Sequence, residues 1–409
     1  MRHLARLSVV LLLGAGCSGS QGAAKERVVF WQFWPLEVVN PIVERFETEN
    51  PDLDVVVEQL TWQAGQEKIT AAVASGKVPD LVELGSTWFP AFAHQGTLVD
   101  WTDSVATLRA GYRLWEMCEV DGRVYGLPWL AGTRALFYNK SLFAAAGLDT
   151  TRGPETWDEL FEACARVQRL GDGVAGYGAN AGERYVLFKK YMPYAWSAGA
   201  ELLSDDGTQV AFDSPASVSA LRLYLRLMEV GRLDQQSQLD QAFKEGKIGC
   251  TLSGAWLLKQ IPAERPDLRF GVALVPKPAN GEHRSFAGGE ILATFARSGN
   301  RSGAWRLARY LFEPENALAL AREMKSVQPT AIGVADDPYF AAHPEEKVFV
   351  EQLALSRATP NHPAWGEMES AIEGAVEEAL YDRLTPEQAV AKAAREMERH
   401  LQATKTARR

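Results

Sequence analysis

The chain has 409 residues, more than one ordinary hydrophobic core encloses, so two domains are expected. Hydrophobic residues make up 46% and charged residues 23% of the sequence, which is typical of a soluble globular protein and not of a disordered one. The formal net charge of -9 argues against nucleic acid or an anionic membrane surface as the main partner, because both require a basic binding surface.

The first residues have the pattern of an export signal. A short basic region is followed by an apolar run over 7–13 and then by small residues before Cys17. The run is too short to span a bilayer, and a cysteine directly after small residues resembles a bacterial lipoprotein signal. We therefore expect a signal peptide at 1–16, lipidation of Cys17 and a flexible, lipid-anchored linker at 17–25. An ordinary cleaved signal with an incidental cysteine is the alternative, because the usual aliphatic residue three places before the cysteine is a glycine.

The next part of the chain predicts alternating strands and helices. Short apolar runs bounded by turn residues are typical of buried strands, and apolar residues at helical spacing between them predict helices. Such alternation indicates a parallel sheet covered by helices, with ligands at the loops after the carboxyl ends of the strands. The predicted strands are 28–31, 53–57 and 81–84, and the predicted helices run from Asn40-Pro41 to Asn50-Pro51 and over 66–75, with Gly76 as a stop.

Two further helices are predicted by capping boxes. Thr156 with Glu159, and Thr385 with Gln388, stand at the N-cap and N3 positions of apolar periodic runs. After the first of these helices, residues 171–176 match the letters of a dinucleotide-binding loop. That loop must follow a strand and open a helix, whereas this one follows a helix and leads into a predicted strand, so no nucleotide site is expected.

No pattern in the sequence indicates catalysis, a cofactor or a metal. The six histidines are scattered without metal-ligand spacing, and the three cysteines after Cys17 allow at most one internal disulfide. Cys164 is expected to be a plain core residue. Whether Cys118 pairs with Cys250 is left open.

Tryptophans are unusually frequent, and several of the twelve follow predicted strands or lie in loops. Sugars present apolar faces and a polar rim, which aromatic plates with a few hydrogen-bonding groups match. Tryptophans after three consecutive parallel strands therefore predict a sugar-binding edge, although any one of them could fill a core. The candidates are Trp34, Trp62, Trp88, Trp129, Trp196 and Trp256.

Several short motifs follow one another in a fixed order. They include Ile42-Val43-Glu44-Arg45-Phe46-Glu47, Ala72-Val73-Ala74-Ser75-Gly76-Lys77-Val78-Pro79-Asp80-Leu81, Gly96-Thr97-Leu98-Val99-Asp100, Tyr125-Gly126-Leu127-Pro128, Tyr138-Asn139-Lys140, Phe243-Lys244-Glu245-Gly246-Lys247-Ile248-Gly249, Ser253-Gly254-Ala255-Trp256 and Phe286-Ala287-Gly288-Gly289. Each is weak alone. Their order and spacing, over nearly the whole chain after the signal, resemble the family-one extracellular solute-binding proteins, the maltose-binding-protein-like receptors of carbohydrate ABC importers.

The resemblance implies a type II periplasmic-binding-protein fold, in which two α/β lobes, each a sheet flanked by helices, are joined by a hinge that the chain crosses three times. Solute would bind between the lobes and close them. The crossings are expected near Thr133-Arg134, Ile291-Leu292 and Gln328-Pro329. The N-lobe would then comprise 26–133 plus 292–328, and the C-lobe 134–291 plus 329–409.

The resemblance also implies where the solute is held. Trp256 and the segment Gly288-Gly289-Glu290 match positions that commonly touch ligand in the family, and Glu290 stands where many relatives have an aromatic residue. A carboxylate there suggests a solute rich in hydroxyls or carrying an amine. The further expected ligand-binding residues are Trp34, Trp62, Ser86 and Trp88 by position, Trp129 and Arg134 beside the first crossing, and Arg357, for which a surface salt bridge is the alternative.

We therefore expect an extracytoplasmic, monomeric lipoprotein, not an enzyme, that captures a di- or oligosaccharide and delivers it to the permease subunits of an ABC importer, without a cofactor. A polyol, glycerol phosphate or a quaternary amine in an aromatic cage are alternative solutes. Phosphate ranks below neutral sugar, because the candidate loops show no cluster of basic residues. From other classes, a surface-anchored saccharide-acting enzyme and a sensor subunit that presents its closed form to a receptor stay open.

Overall fold

A computed structural model describes residues 25–407, so the predicted signal peptide and Cys17 lie outside the described residues. The strands are β1 (Glu26–Gln32), β2 (Leu53–Gln59), β3 (Leu81–Gly85), β4 (Glu119–Val120), β5 (Arg123–Val124), β6 (Leu127–Thr133), β7 (Ala135–Asn139), β8 (Ala175–Asn180), β9 (Gly231–Asp234), β10 (Ile248–Ser253), β11 (Phe270–Ala273), β12 (Ser285–Ala293), β13 (Gln328–Pro329) and β14 (Ser356–Ala358). The helices are α1 (Leu36–Glu49), α2 (Trp62–Ser75), α3 (Phe89–His94), α4 (Thr102–Val105), α5 (Lys140–Ala145), α6 (Trp157–Gln168), α7 (Phe188–Ser197), α8 (Pro215–Met228), α9 (Gln236–Lys244), α10 (Leu257–Glu264), α11 (Arg301–Phe312), α12 (Pro314–Met324), α13 (Pro344–Ala354), α14 (Trp365–Leu380) and α15 (Pro386–Ala407).

The first sheet has the strand order β13-β6-β12-β3-β1-β2, and β14 pairs with β12. β1 runs parallel to β2 and β3, whereas β12 is antiparallel to β3 and β6. Helices α1 and α11 cover the sheet and bury their apolar faces in one hydrophobic core, which includes Val28, Phe30, Ile42, Phe46 and Leu307. We call this sheet with its helices the first lobe.

The second sheet has the strand order β11-β7-β10-β8-β9. β8 is parallel to β9 and β10, and β7 is antiparallel to β10 and β11. A separate core forms between this sheet and helices α6, α7, α8, α14 and α15, and it includes Cys164, Tyr177, Tyr191 and Met368. We call this unit the second lobe. Two cores of this size are the expected outcome for a chain of 409 residues.

The predicted first elements are present, but two helices begin earlier than predicted. α1 starts at Leu36 and contains Pro41 in its interior, because apolar residues at helical spacing begin with Val39, upstream of the proline. α2 starts at Trp62, directly after Thr61 in extended conformation, so this tryptophan opens a helix and does not lie in a loop. Gly76 ends α2 with a φ of 73°, the left-handed conformation that glycine adopts most readily.

The capping box at Thr385 is formed in full, and that at Thr156 in half, because the Glu159 carboxylate accepts from the N–H of Glu155 (2.8 Å) and not from that of Thr156. The backbone N–H of Glu159 donates to Thr156 Oγ1 over 3.2 Å at the start of α6. Before α15, the N–H of Thr385 donates to Gln388 Oε1 (3.0 Å) and the N–H of Gln388 donates to Thr385 Oγ1 (3.3 Å). The glycine-rich segment 171–176 follows α6 and leads into β8, which confirms that it lacks the order required for dinucleotide binding.

The chain passes between the two sheets at Arg134, between Ala273 and Ser285, and after Ala358. The later two passages differ from the crossings expected near Ile291-Leu292 and Gln328-Pro329. β12 enters the first sheet at Ser285 by pairing with β14, and β13 and β14 also belong to that sheet, so the last passage follows Ala358. Gly289 lets β12 lie tightly against β6, because a Cβ there would come within 2.1 Å of the Leu130 carbonyl oxygen. The assignment of each segment to a lobe follows these strand pairings.

The three cysteines of the described chain are free and buried. Cys164 belongs to the core of the second lobe, as predicted. Cys118 lies in the first core and Cys250 in the second, so these two do not pair. Between residues 25 and 407, no helix has the length and apolar character needed to cross a membrane.

Candidate functional site

A cavity of about 620 Å³ lies between the two lobes. The first lobe contributes Thr87, Trp88 and His94, from α3 and the loop before it. The second lobe contributes Lys189 of α7 and the opening residues of α14. The loops after parallel strands β3 and β8 border the cavity, which is the location where ligands bind in sheets of this kind. The remaining lining residues are Gln66, Pro90, Ala91, Gln95, Tyr185, His362, Pro363, Trp365, Gly366 and Glu369.

Three aromatic side chains form a platform on the first-lobe side of the cavity. Phe33 follows β1, Trp62 follows β2 and Trp88 follows β3. The rings of Phe33 and Trp62 stack with centroids 4.2 Å apart and planes inclined by 15°, and Trp88 lies 5.2 Å from Trp62. Trp62 is 45% exposed and therefore offers ring surface to a solute. Aromatic side chains thus cluster after three consecutive strands, as predicted. The member that follows β1 is Phe33, however, and not Trp34.

Trp34 is buried in the first core, and its indole N–H finds no acceptor anywhere in residues 25–407. The neighbouring Gln32 is fully buried at the end of β1, and its Nε2 also has no acceptor in the described chain. Buried donors are nearly always paired in native proteins. Two unpaired donors at the carboxyl end of one strand therefore indicate that a solute or water supplies the acceptors.

Glu83 and Glu290 form a carboxylate pair beside the platform. Glu290 lies opposite Gly85 in the β3–β12 register, so it shares a sheet face with Glu83, and a Cβ at Gly85 would point toward Trp62 and Trp88. Glu83 Oε2 accepts from the N–H of Phe33 (2.8 Å), whereas Glu83 Oε1 and Glu290 Oε2 have no donor among residues 25–407.

The two carboxyl groups both resist ionisation. Burial raises the pKa of Glu290 to about 8, and the positive charge of Lys189 offsets part of that rise. Burial, reinforced by the nearby charge of Glu290, raises the pKa of Glu83 well above its usual range. At neutral pH this pair therefore holds at least one proton, and its unpaired oxygens can both accept and donate hydrogen bonds.

Ser86 and Gly289 fix the position of the loop after β3, which carries Trp88 of the platform. The N–H of Ser86 donates to the Gly289 carbonyl (2.8 Å), and the N–H of Gly289 donates to Ser86 Oγ (3.1 Å). Gly288 is close to the Phe286 ring and to Ser86 Oγ, where a Cβ would lie 2.6 and 3.5 Å away. Ser86 therefore acts through its backbone and its hydroxyl, and Gly288 and Gly289 act through backbone and packing, so that β12 is fixed against the loop that carries Trp88.

Trp256 is held at the second-lobe edge by a polar network centred on Asp240. The indole N–H of Trp256 donates to Asp240 Oδ2 (2.8 Å), and Asp240 Oδ1 accepts from Ser253 Oγ (2.8 Å) and Gln236 Nε2 (2.7 Å). Gln236 Oε1 and, at the end of β8, Asn180 Oδ1 are buried acceptors to which no group of the described chain donates. We call Asp240 with Trp256, Ser253 and Gln236 the Asp240 network.

Arg134 lies at the passage between the lobes and covers Trp256. Its guanidinium carbon is 4.8 Å from the centre of the Trp256 ring and 5.7 Å from that of Phe286, a cation–π arrangement. Its Nη1 donates to the Thr133 carbonyl (3.1 Å), while Nε lacks an acceptor within residues 25–407. Burial lowers the pKa of Arg134 to about 10, against the raising effect of Asp240. The residue thus stays charged at neutral pH.

Sequence reasoning missed the charged residues of the second-lobe wall. Lys189 and Glu369 line the cavity, and Lys190 is buried with its ammonium donating to the Leu252 carbonyl. Burial, followed by the charge of Arg134, lowers the pKa of Lys189 to about 8. Burial raises the pKa of Glu369 to about 7, with the charge of Lys189 acting in the opposite direction. These residues lie on helices whose sequences show only ordinary amphipathic patterns, so no sequence signal distinguished them.

Of the predicted ligand-binding residues, only Trp88 lines the cavity itself, and three others lie in a core or in a surface ion pair. Trp129 is 1% exposed in the first core, and its indole N–H donates to the Leu311 carbonyl (2.9 Å). Trp196 is 3% exposed in the second core, where it meets Phe188 edge to face. Arg357 forms an exposed ion pair with Glu201, with Nη1 2.6 and 2.7 Å from the two carboxylate oxygens. The surface salt bridge that the sequence left open as an alternative is therefore formed.

The cavity has the chemistry of a binding site. Trp88 and Trp365 supply aromatic surface to it, and Lys189 and Glu369 supply groups of both charge types. The unpaired groups of Glu83 and Glu290 lie beside the platform to which Trp88 belongs. In residues 25–407 no group of three or more His, Cys, Asp or Glu side chains is arranged to hold a metal ion. Such a site suits a small solute with an apolar face and many hydroxyl groups.

Comparisons with known proteins agree with this description. A family model described as bacterial extracellular solute-binding protein matches residues 36–318. The chain is 27% identical to a protein of Brucella abortus named as a binding protein, with 94% of each chain covered. It is 26% identical to the maltotriose-binding protein of Pyrococcus abyssi, over 87% of this chain and 78% of that protein.

A solved structure supports the fold. The cyclic alpha-maltosyl-1,6-maltose binding protein from Arthrobacter globiformis is 26% identical, covers 93% of this chain and all of its own (100%), and superposes with a TM-score of 0.85. The expected type II periplasmic-binding-protein fold, with two α/β lobes, is therefore confirmed.

Proposed function

The chain belongs to the bacterial extracellular solute-binding protein family, and on that premise we propose that it captures a saccharide of two or more units between its lobes and delivers it to an ABC importer. Members of this family bind solutes and do not transform them, so the protein is a binding protein and not an enzyme. Because members of this family are extracellular, the protein acts outside the cytoplasm.

The observation that carries the proposal is the aromatic platform beside unpaired polar groups. Trp62 presents ring surface, and Glu83 Oε1, Glu290 Oε2 and Gln32 Nε2 lie near that ring cluster without partners in the described chain. A pyranose ring stacks its C–H face on such a plate and places its hydroxyls against such groups. Both donors and acceptors are unpaired, which fits hydroxyl groups, because each hydroxyl donates and accepts.

The length of the solute is proposed from the extent of the site. The cavity wall at Trp365, the platform around Trp88, and Trp256 under Arg134 at the passage between the lobes are three separate contact surfaces. The relatives named above bind maltotriose and a cyclic maltosyl-maltose. Both the extent of this site and the relatives favour a solute longer than a monosaccharide.

We propose that the two lobes close on the solute and that the importer's permease subunits bind the closed form. The three passages of the chain between the sheets form the hinge of this motion. Groups from both lobes contact one solute only when the lobes are closed, so solute binding favours that state.

The test of the function is a thermal-shift panel on the chain from Lys25 onward, which contains all described residues. The panel comprises maltose, maltotriose, cyclic maltosyl-maltose, diacetylchitobiose, polyols, glycerol phosphate and choline. A solute at about 100 times its dissociation constant adds roughly 2.7 kcal/mol of stability, which raises the melting temperature by several degrees. A shift with saccharides alone supports the proposal. A shift confined to glycerol phosphate or choline, or no shift after unfolding and refolding to remove co-purified solute, contradicts it.

The anchor is a separate part of the proposal. We propose that Cys17 is lipidated, that it tethers the protein to the membrane, and that the protein acts as a monomer. Support comes from the cysteine after small residues in the export signal. The variant Cys17→Ser should be exported but should remain in the aqueous phase on detergent partition. Partition of that variant into detergent would show that the anchor is elsewhere.

A further inference from the structure

Two cationic groups at the cleft contact the same aromatic ring. The ammonium of Lys189, which lines the cavity from α7, lies 5.2 Å from the centre of the Phe286 ring. The guanidinium carbon of Arg134, at the first passage between the lobes, lies 5.7 Å from the centre of that ring and 4.8 Å from the centre of the Trp256 ring. These ring contacts make the two cations neighbours in the region between the lobes.

Neither cation has a counter-ion within residues 25–407. Lys189 and Arg134 form no ion pair there, and the carboxylates around them act on them only at a distance. Arg134 Nη1 donates to the Thr133 carbonyl, and its buried Nε finds no acceptor in the same part of the chain. Charged groups that are withdrawn from water are nearly always paired in native proteins. Two neighbouring cations without counter-ions therefore indicate that a bound anion supplies the missing charge.

The nearby carboxylates that remain ionised are hydrogen-bonded to neutral groups. Asp240 accepts from the three other members of the Asp240 network. Glu373 on α14 accepts from the N–H groups of Tyr185 (2.9 Å) and Phe188 (3.1 Å) at the start of α7. These carboxylates therefore hold elements of the second lobe together, and they leave the two cations to another partner.

Two further carboxyl groups near Lys189 carry reduced charge at neutral pH. Burial raises the pKa of Glu290 to about 8 and that of Glu369 to about 7, although the charge of Lys189 opposes both shifts. Burial, followed by the charge of Arg134, lowers the pKa of Lys189 to about 8, so its ammonium is still mostly charged at pH 7. A protonated carboxyl group donates a hydrogen bond. Glu369, which lines the cavity with Lys189, is therefore compatible with an anion beside it.

We propose that the solute is an acidic saccharide, built with uronic acid units, and that Lys189 binds its carboxylate with Arg134 as the supporting charge. This inference rests on the proposed function and names the chemical class of the saccharide. The ammonium donates to the carboxylate of one unit, and Trp88 and Trp365 in the same cavity meet apolar faces of the sugar. One ammonium within reach matches the single charge of a carboxylate better than the charge of nearly two on a phosphate ester.

The experiment is calorimetric titration of the mature protein with three matched pairs of saccharides, each a neutral compound and its uronic acid counterpart. The pairs are maltotriose and its terminal uronic acid, galactobiose and digalacturonate, and mannobiose and dimannuronate. In at least one pair the uronate should bind about ten- to a hundredfold more tightly, the scale of one hydrogen bond between charged groups. Maltotriose 6-phosphate tests the other oxyanion. Preference for a uronate in none of the pairs, or tighter binding of the phosphate ester than of every uronate, overturns the inference.

Variants of Lys189 separate its charge from its packing. Lys189→Met keeps the length of the side chain but removes the charge, so the ratio between uronate and neutral affinity should fall by about tenfold or more. Lys189→Arg keeps the charge and should keep most of that ratio. Lys77→Met is the matched control, because Lys77 is exposed and lies outside the cavity lining. An unchanged ratio in Lys189→Met, or an equal fall in Lys77→Met, overturns the inference.

Failure of the inference is distinguishable from failure of the proposed function. The neutral compounds are expected to bind more weakly than the uronates. Binding of neutral saccharides without preference for any uronate overturns the inference and leaves the function standing. Absence of binding by every saccharide, neutral and acidic, contradicts both. Melting temperatures without solute verify that each variant folds, and the comparison within pairs on wild-type protein needs no variant.

Discussion

The two edges of the cleft use different chemistry. The first-lobe edge presents an aromatic platform whose outer ring, Trp62, is 45% exposed. The second-lobe edge presents the Asp240 network and the buried or half-buried charges of Lys189 and Glu369. Stacking requires only a flat surface, whereas hydrogen bonds require groups placed within a few tenths of an ångström. The first lobe is therefore suited to initial, tolerant contact with a sugar, and the second lobe to selection during closure.

The largest expected effect comes from removing the platform. The double variant Trp62→Ala, Trp88→Ala should weaken saccharide binding by roughly 3–5 kcal/mol, because two aromatic contacts with the solute are lost. Calorimetric titration measures the change. Trp305→Phe is the control, since Trp305 packs on Trp101 in the first lobe, and it should leave affinity unchanged. Retained affinity in a folded double variant would show that the first-lobe edge is not the stacking surface.

At the second-lobe edge, ionisation of the buried Glu369 should make the free energy of unfolding depend on pH. Burial raises the pKa of Glu369 from 4.5 to about 7, so the folded state binds a proton more tightly than the unfolded state, and stability falls as pH rises from about 4.5 through 7. Glu369→Gln removes this cost and should stabilise the protein by about 3 kcal/mol at pH 8, but not at pH 4. Denaturant unfolding at both pH values measures the difference. An equal effect at the two pH values would indicate that packing, and not ionisation, is responsible.

A smaller effect is expected from the aromatic residue of the second-lobe edge. Trp256→Ala should weaken saccharide binding by roughly 1–3 kcal/mol, with folding largely retained, because one aromatic contact is lost and Arg134 loses its cation–π partner. Trp256→Phe keeps a ring but cannot donate to Asp240, and comparison of the two variants separates stacking from positioning. Unchanged affinity in folded Trp256→Ala would remove this residue from the site.

The smallest effect is expected at Arg357, which lies outside both edges. Its partner Glu201 is exposed, and exposed ion pairs contribute roughly 0–1 kcal/mol to stability. Arg357→Ala should therefore change the melting temperature little and leave saccharide affinity unaltered. A tenfold loss of affinity would instead place Arg357 on the solute in the closed form.

The comparison also explains which parts of the site could be predicted from the sequence. Strand ends are marked by turn residues, so the positions of Trp62, Trp88 and Trp256 could be predicted from local pattern. Whether a side chain is buried depends on which neighbouring elements it faces, and local pattern does not show this. Trp129 and Trp196 were expected in the site, but they lie in the first and second cores. The lobes and the fold followed from motif order, whereas the second passage between the sheets was placed too late and the third too early, because the pairing of β12 with β14 and of β13 with β6 joins segments far apart in the chain.

The charged wall of the second lobe shows the limit of local pattern most clearly. Lys189 and Lys190 are adjacent in sequence, yet one lines the cavity and the other is buried against the Leu252 carbonyl. Glu369 lies on α14, far along the chain, and reaches the same cavity only through the packing of α14 on α7. Long-range packing of this kind has no signature in a single sequence.

The most direct test of the account is hydrogen–deuterium exchange of the protein with and without the saccharide that gives the largest thermal shift. If one solute is held between both edges, exchange should slow together in the segments that carry Trp62 and Trp88 and in those that carry Lys189 and Trp256. Protection in only one lobe, with the other unchanged, would contradict binding between two closing lobes.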